Sequence, residues 1–112
     1  MKVGFLHSLI RKDEKFLIDE FRKRSNIELA MVNDRELVFD LHKSPKQYDV
    51  VIERCINHSR AAHALKVFND YNIPTVNTYE VAEVCGSKFL TTQALIKANV
   101  PTPKALLALR QN

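Results

Sequence analysis

The densest run of reactive side chains in this 112-residue chain is Glu53-Arg54-Cys55-Ile56-Asn57-His58-Ser59-Arg60. Two readings of it stand side by side. In one, Arg54 and Arg60 are planar guanidinium forks in a polar wall, with Asn57, His58 and Ser59 between them, that grips a carboxylate or an acidic partner. In the other, Ser59 caps a helix and the arginines form local salt bridges. Cys55 and His58 could act as thiol nucleophile and base, but they sit close together in sequence with no orienting acid evident. A small cysteine at a strand end commonly packs as a hydrophobe. His7, His42 and His63 are scattered, and the spacing of Cys55 and Cys85 fits no zinc motif, so no metal site is expected. Gly4 and Gly86 are the only glycines. A Walker loop and a dinucleotide fingerprint both need several glycines close together, so both are excluded. A second stretch runs from Val76 through Cys85-Gly86-Ser87-Lys88 to Thr91-Thr92 and Val100-Pro101-Thr102-Pro103-Lys104. It reads as strand, capped helix, glycine break, lysine, helix and proline-stiffened exit. By residue type alone, Lys88 is a solvent-facing helix residue.

The elements that must hold these groups alternate. Lys2–Leu6 is a short apolar run and reads as a buried strand. Asp13–Arg24 has helical spacing, with Phe16, Leu17, Ile18 and Phe21 on one broad face. Ile27–Val32 is a second strand, with Glu36–Phe39 expected to extend or pair with it. Leu41–Tyr48 is polar, contains Pro45, and reads as a loop or a short turn of helix. Asp49–Glu53 is continuous and β-branched, as central parallel strands tend to be. The polar run therefore leaves the carboxyl end of the best strand, where open α/β sheets bind ligands. Ser59 is placed to cap a helix reaching about Tyr71, with Ala61, Ala64, Leu65 and Phe68 inward. Ile73–Val76 follows as a strand, and Thr78 caps a short helix through Val84. Ser87 or Lys88 opens another helix that ends near Asn99 before the prolines, and Ala105–Leu109 is a last apolar stretch. Asn26, Asn72 and Asn99 each close a helix ahead of Ile or Val. In a chain this poor in glycine they are expected to supply the left-handed residue that ends helices. The fold class is α/β: a small open, mostly parallel sheet flanked by helices.

Hydrophobic residues make up 46% of the chain, enough for one core, and charged residues make up 27%, spread along its length. There is no internal repeat or low-complexity stretch, so residues 1–112 read as a single domain. The net charge of +4 raises the question of nucleic acid. The basic residues, however, lie among acids on solvated helix faces, and there is no aromatic–basic patch, so no nucleic-acid partner is expected. The one basic run, Arg22-Lys23-Arg24, sits where a helix end favours cations. No signal-peptide pattern opens the chain and no apolar run is long enough to span a bilayer, so the expectation is a cytoplasmic protein with no membrane partner and free thiols.

The strings IPTVN (73–77), EVAEVCGSK (80–88) and ALIKANVPTPK (94–104) resemble the junction between the first and central domains of ATP-grasp carboxylate–amine ligases. VVIERCINHSR (50–60) narrows the resemblance to the LysX-type ligases, relatives of the RimK-type glutamate ligases. It spans essentially the whole chain. It implies a pre-ATP-grasp, Rossmann-like N-terminal domain with no catalytic residue of its own, residues 86–112 leading toward two further lobes that clamp ATP and hold magnesium. The implied reaction joins α-aminoadipate or glutamate, through its amino group, to the C-terminal glutamate of a LysW-type acidic carrier protein by way of an acyl phosphate. ATP and magnesium belong to the full-length enzyme, and this fragment alone is expected to bind neither. Lys88 matches the family's lysine that approaches ATP from the first lobe; an Asp usually precedes it, and here Ser87 stands there. Arg54, Asn57 and Arg60 fall in the family's loop facing the substrate cleft. Because the ATP-grasp lobes would begin after Asn112, the chain reads as truncated, split or degenerate. An alternative is a stand-alone α/β binding or oligomerisation module derived from that lobe, with self-association as a homo-oligomer through surface the lobes would cover.

Overall fold

A computed structural model describes residues 1–110. Two compact units make up the chain, Met1–Tyr79 and Glu80–Asn112. The first holds four strands and two helices: β1 (Lys2–His7), α1 (Lys12–Arg22), β2 (Glu28–Asn33), β3 (Val50–Arg54), α2 (His58–Asp70) and β4 (Thr75–Val76). The strands form one sheet in the order β2-β1-β3-β4, parallel at every pairing. One row of the sheet aligns Asn33, His7 and Arg54. From β1 the chain winds outward first to β2 and then, in the other direction, to β3 and β4. The winding therefore reverses between β1 and β3, and their carboxyl ends form the switch point where such sheets place ligands.

Alternation along β1 divides its side chains between two packed faces. On one, Phe5 meets Phe21 of α1 edge-on at 6.4 Å between ring centroids. On the other, Leu6, Val32 and Val51 pack with Ala64 and Phe68 of α2 and with Ile73. The inner face expected for α2 is the one observed, with Ala61, Ala64, Leu65 and Phe68 all buried. Gly4 serves packing, as its exclusion from phosphate loops suggested: a Cβ there would stand 3.1 Å from the Tyr48 ring, which lies against the strand. Asn69 fastens the end of this unit. Its side chain donates to the Ile73 carbonyl and the Thr75 hydroxyl and accepts from the Tyr79 N–H.

Several local expectations are corrected. The inward side of α1 is Glu14 and Ile18, with Phe21 half-buried, rather than the face Phe16-Leu17-Ile18-Phe21. Phe16 is 60% exposed, its ring under the Lys12 ammonium at 5.8 Å. Hydrophobicity alone misplaces the face because a paired carboxylate occupies one of its inward positions. Glu36–Phe39 neither extends β2 nor pairs with it: the Asn33 side chain accepts from the Arg35 N–H at 3.0 Å and turns the chain away. The β2–β3 crossover, residues 34–49, contains no helix; Leu37, Phe39 and Tyr48 pack on the core directly. The cap of α2 is Asn57, not Ser59, accepting from the Arg60 N–H at 2.9 Å. Asn72 and Asn99 take left-handed φ of 61° and 60°. Asn26 does not, because α1 ends earlier, at Arg22; its carbonyl instead accepts from the N-terminal ammonium at 2.7 Å.

The second unit contains α4 (Lys88–Lys97), preceded by α3 (Tyr79–Cys85) at the boundary. Ser87 caps α4 by accepting from the Leu90 N–H at 3.1 Å. Past Asn99 the described chain is irregular, so Ala105–Leu109 forms no strand. The chain's final residues, on which the reading of a cut end rests, lie outside the described ones. Among described residues, no helix is long and apolar enough to cross a membrane, and both cysteines are free.

Candidate functional site

The carboxyl ends of β1, β2 and β3 carry a connected set of polar groups. Ser8, just past β1, is its hub: its hydroxyl donates to Asp34 Oδ2 at 2.7 Å and accepts from the Ile56 N–H at 3.0 Å. One side chain thus ties together the loops that follow three neighbouring strands. Cys55 lies within this cluster. Its thiol is pushed up to about 12, first by burial and then by the nearby carboxylates of Glu53 and Asp34. At neutral pH it is a protonated thiol and not a nucleophile, which removes the Cys55–His58 pair as a catalytic arrangement.

On the other face of the same edge is a buried charge cluster. Glu14, in the first turn of α1, is fully buried. It accepts from Arg11 Nε at 2.6 Å and from the Arg54 guanidinium at 2.8 Å. The Arg11 hydrogen bond foremost, and then that of Arg54, hold its carboxyl down at about 2. An ion pair of this kind joins α1 to the end of β3 and sets the direction in which Arg54 leaves the sheet. The buried Nε of Arg54 makes no hydrogen bond among the described residues, so one edge of its fork is committed and another donor remains. Both readings of the loop therefore have a counterpart: a local ion pair and a helix cap, together with a donor still open at the switch point.

The four residues singled out from the sequence separate as follows. Arg54 is half-buried at the end of β3, and Asn57 is the α2 cap. Arg60 is exposed in the first turn of α2. These three share one loop and helix start. Lys88 belongs to the other unit, exposed at the first position of α4, where the helix dipole favours an anion. It borders a cavity of about 410 Å³ lined also by Phe89, Thr92, Ile96 and Leu106. Among described residues no three His, Cys, Asp or Glu side chains come together to hold a metal ion. Sequence reasoning missed Glu14, Ser8 and Asp34. Glu14 stands three places after Arg11, as in a capping box, and that spacing was the only signal available.

A family profile described as the LysX preATP-grasp domain matches residues 3–84. The chain belongs to this family. Among proteins similar to this LysX pre-ATP-grasp domain, a glutamate–LysW ligase, ArgX, of Sulfurisphaera tokodaii is 28% identical over 109 residues, which make up 97% of this chain and 38% of that protein. An alpha-aminoadipate–LysW ligase, LysX, of the same organism is 29% identical over 111 residues, covering 96% and 39%. The pre-ATP-grasp chain thus spans about two fifths of the length of these relatives. Among solved structures, a RimK domain protein ATP-grasp from Sphaerobacter thermophilus matches with a TM-score of 0.77 at 22% identity, over 93% of this chain and 40% of that one. That likeness agrees with the parallel α/β sheet of the pre-ATP-grasp domain.

Proposed function

We propose that this chain acts as the front lobe of an ATP-grasp ligase that joins the amino group of glutamate or α-aminoadipate to the C-terminal glutamate of a LysW-type acidic carrier. The observation that carries the reading is the family match over residues 3–84, together with relatives named as ligases for each of those two amino acids. In such a reaction ATP activates the carrier carboxylate as an acyl phosphate, the amine attacks, and phosphate leaves. The chain's own residues have narrower tasks. Lys88, at the amino end of α4, neutralises phosphate charge. Arg54, held by Glu14, and Arg60 offer guanidinium donors to a substrate carboxylate, while Asn57 fixes the loop between them. Magnesium finds no holder here, and its ligands are assigned to the remaining lobes.

The test replaces the corresponding front lobe of the Sulfurisphaera tokodaii ArgX protein with this chain and follows amide formation on the carrier by mass spectrometry. The expected result is an active chimera in which Lys88→Ala raises KM for ATP roughly tenfold, the loss of one charge-assisted contact, with KM for the amino acid unchanged. Arg54→Ala should do the reverse. A chimera that folds but forms no amide overturns the ligase reading. So does micromolar binding of ATP by the 112-residue chain alone that is abolished by Lys88→Ala, since the nucleotide site would then lie within the front lobe.

A further inference from the structure

The β2–β3 crossover is the least regular part of the first unit. A parallel crossover usually lays a helix on the sheet; residues 34–49 lay side chains there instead. Phe39 meets Phe68 edge-on at 5.4 Å and Tyr48 meets the same ring at 6.2 Å. These rings floor an open cavity of about 250 Å³. That volume is below the range of sites for drug-sized ligands and is suited to one large side chain. Its apolar character continues outward: Val38, on its wall, is 89% exposed, and Leu41, in the same crossover, is 73% exposed.

The charge around the cavity is of one prevailing sign. Lys43 and Lys46 line it. The ammonium groups of Lys2 and Lys46 lie over the Tyr48 ring, 5.7 Å and 5.9 Å from its centroid. Asp40 is the acid in the lining, 4.0 Å from Lys43. Nearby Asp49 is engaged by the Lys2 backbone N–H at 2.6 Å. An apolar floor with a cationic rim matches an anionic chain that carries one apolar side chain, and it disfavours a basic or purely polar one.

We infer that this crossover is a docking surface for an acidic segment of a partner protein, which inserts one aromatic or large aliphatic side chain between Val38, Phe39 and Tyr48 while its carboxylates meet Lys43, Lys46 and Lys2. Tyr48 and Lys2 stand at the amino ends of β3 and β1, away from the carboxyl-end loop that carries Arg54. The surface is therefore independent of the ligase reading, and either can fail without the other.

The probe is a fluorescein-labelled decapeptide of Asp and Glu with one central Phe, titrated with the full chain and followed by anisotropy. Amide chemical-shift mapping of the 15N-labelled chain locates the contact. Binding is expected to shift amides of 38–48, to weaken roughly tenfold in the Lys43→Glu/Lys46→Glu variant, and to weaken comparably when the peptide Phe becomes Ala. Val38→Asp should act as the double lysine variant does. All three positions face solvent, so circular dichroism should confirm an unchanged fold. Binding that ignores the peptide Phe would make the contact a nonspecific response to net charge and overturn the inference. Shifts confined to Arg54–Arg60 would move the acidic segment to the other edge and overturn it equally, and absence of binding would end it.

Discussion

The two units are built on different terms. Met1–Tyr79 contains every buried hydrophobic residue among those described, from Val3 to Ile73. In α3 and α4 no residue is buried, and Phe89, Leu90, Leu95 and Ile96 are all exposed. Both regions have well-formed local devices: a side-chain cap opens α2 and α4 alike, and an asparagine in the left-handed conformation follows each helix. Local sequence chemistry is thus enough to shape helices in either region, whereas a core arises only where strands supply long-range partners for an apolar face. In the first unit propensity and packing agree; in the second, the described structure rests mainly on propensity.

Thiol chemistry should separate the regions most widely. Cys55 belongs to the first and Cys85, which is exposed, to the second. With its thiol held at about 12, Cys55 has a thiolate fraction on the order of 10⁻⁴ at pH 8. An aromatic disulfide reagent should modify Cys85 in the native chain at least about a thousandfold faster than Cys55, and denaturant should make the rates similar. Equal native rates would mean that the Ser8–Asp34–Cys55 cluster opens readily. Packing gives the next contrast. Phe68→Ala removes a ring shared by Phe39, Tyr48 and the sheet, and should cost about 3–5 kcal/mol in urea unfolding. Phe89→Ala, at an exposed position, should cost less than about 1 kcal/mol. A comparable loss at Phe89 would break the distinction between the regions.

Much of this contrast could be read in the residues beforehand. Strand runs such as Val50-Val51-Ile52 carry their burial in their composition, and the inner face of α2 follows from helical spacing. The α/β class and the parallel sheet follow from the alternation of such runs. Three features stayed out of reach because they depend on partners distant in sequence. Glu14 turns inward only because Arg54, 40 positions away, meets it, so the α1 face could not be read from hydrophobicity. Ser8 becomes a hub only when β2 and β3 flank β1. The crossover lacks strand or helix because Asn33 turns it and Phe68 receives its apolar residues, neither of which has a periodic signature. At the carboxyl edge, the Arg54–Arg60 loop was visible from its composition, but the commitment of Arg54 to Glu14 was not.

That commitment gives the smallest and most diagnostic effect. A carboxyl held at about 2 in the folded chain, against an ordinary value of 4.5, binds a proton more readily once the chain unfolds. Its contribution is complete above the unfolded value and fades as pH falls from about 4.5 toward 2. Glu14→Gln keeps the shape and removes the charge, leaving the Arg54 guanidinium without its counter-ion at the end of β3. Because both arginines reach solvent and can rehydrate, the loss should be nearer about 2 kcal/mol at pH 7 than the larger values of fully enclosed pairs. Urea unfolding of the wild-type chain and the variant should show that gap at pH 7 and its closure as pH approaches 2. The amino-terminal half of α1 should lose amide-exchange protection first, while α4 in the second unit should be unchanged. A gap independent of pH would assign the role of Glu14 to packing alone, and Arg54 would then leave the sheet unguided by charge.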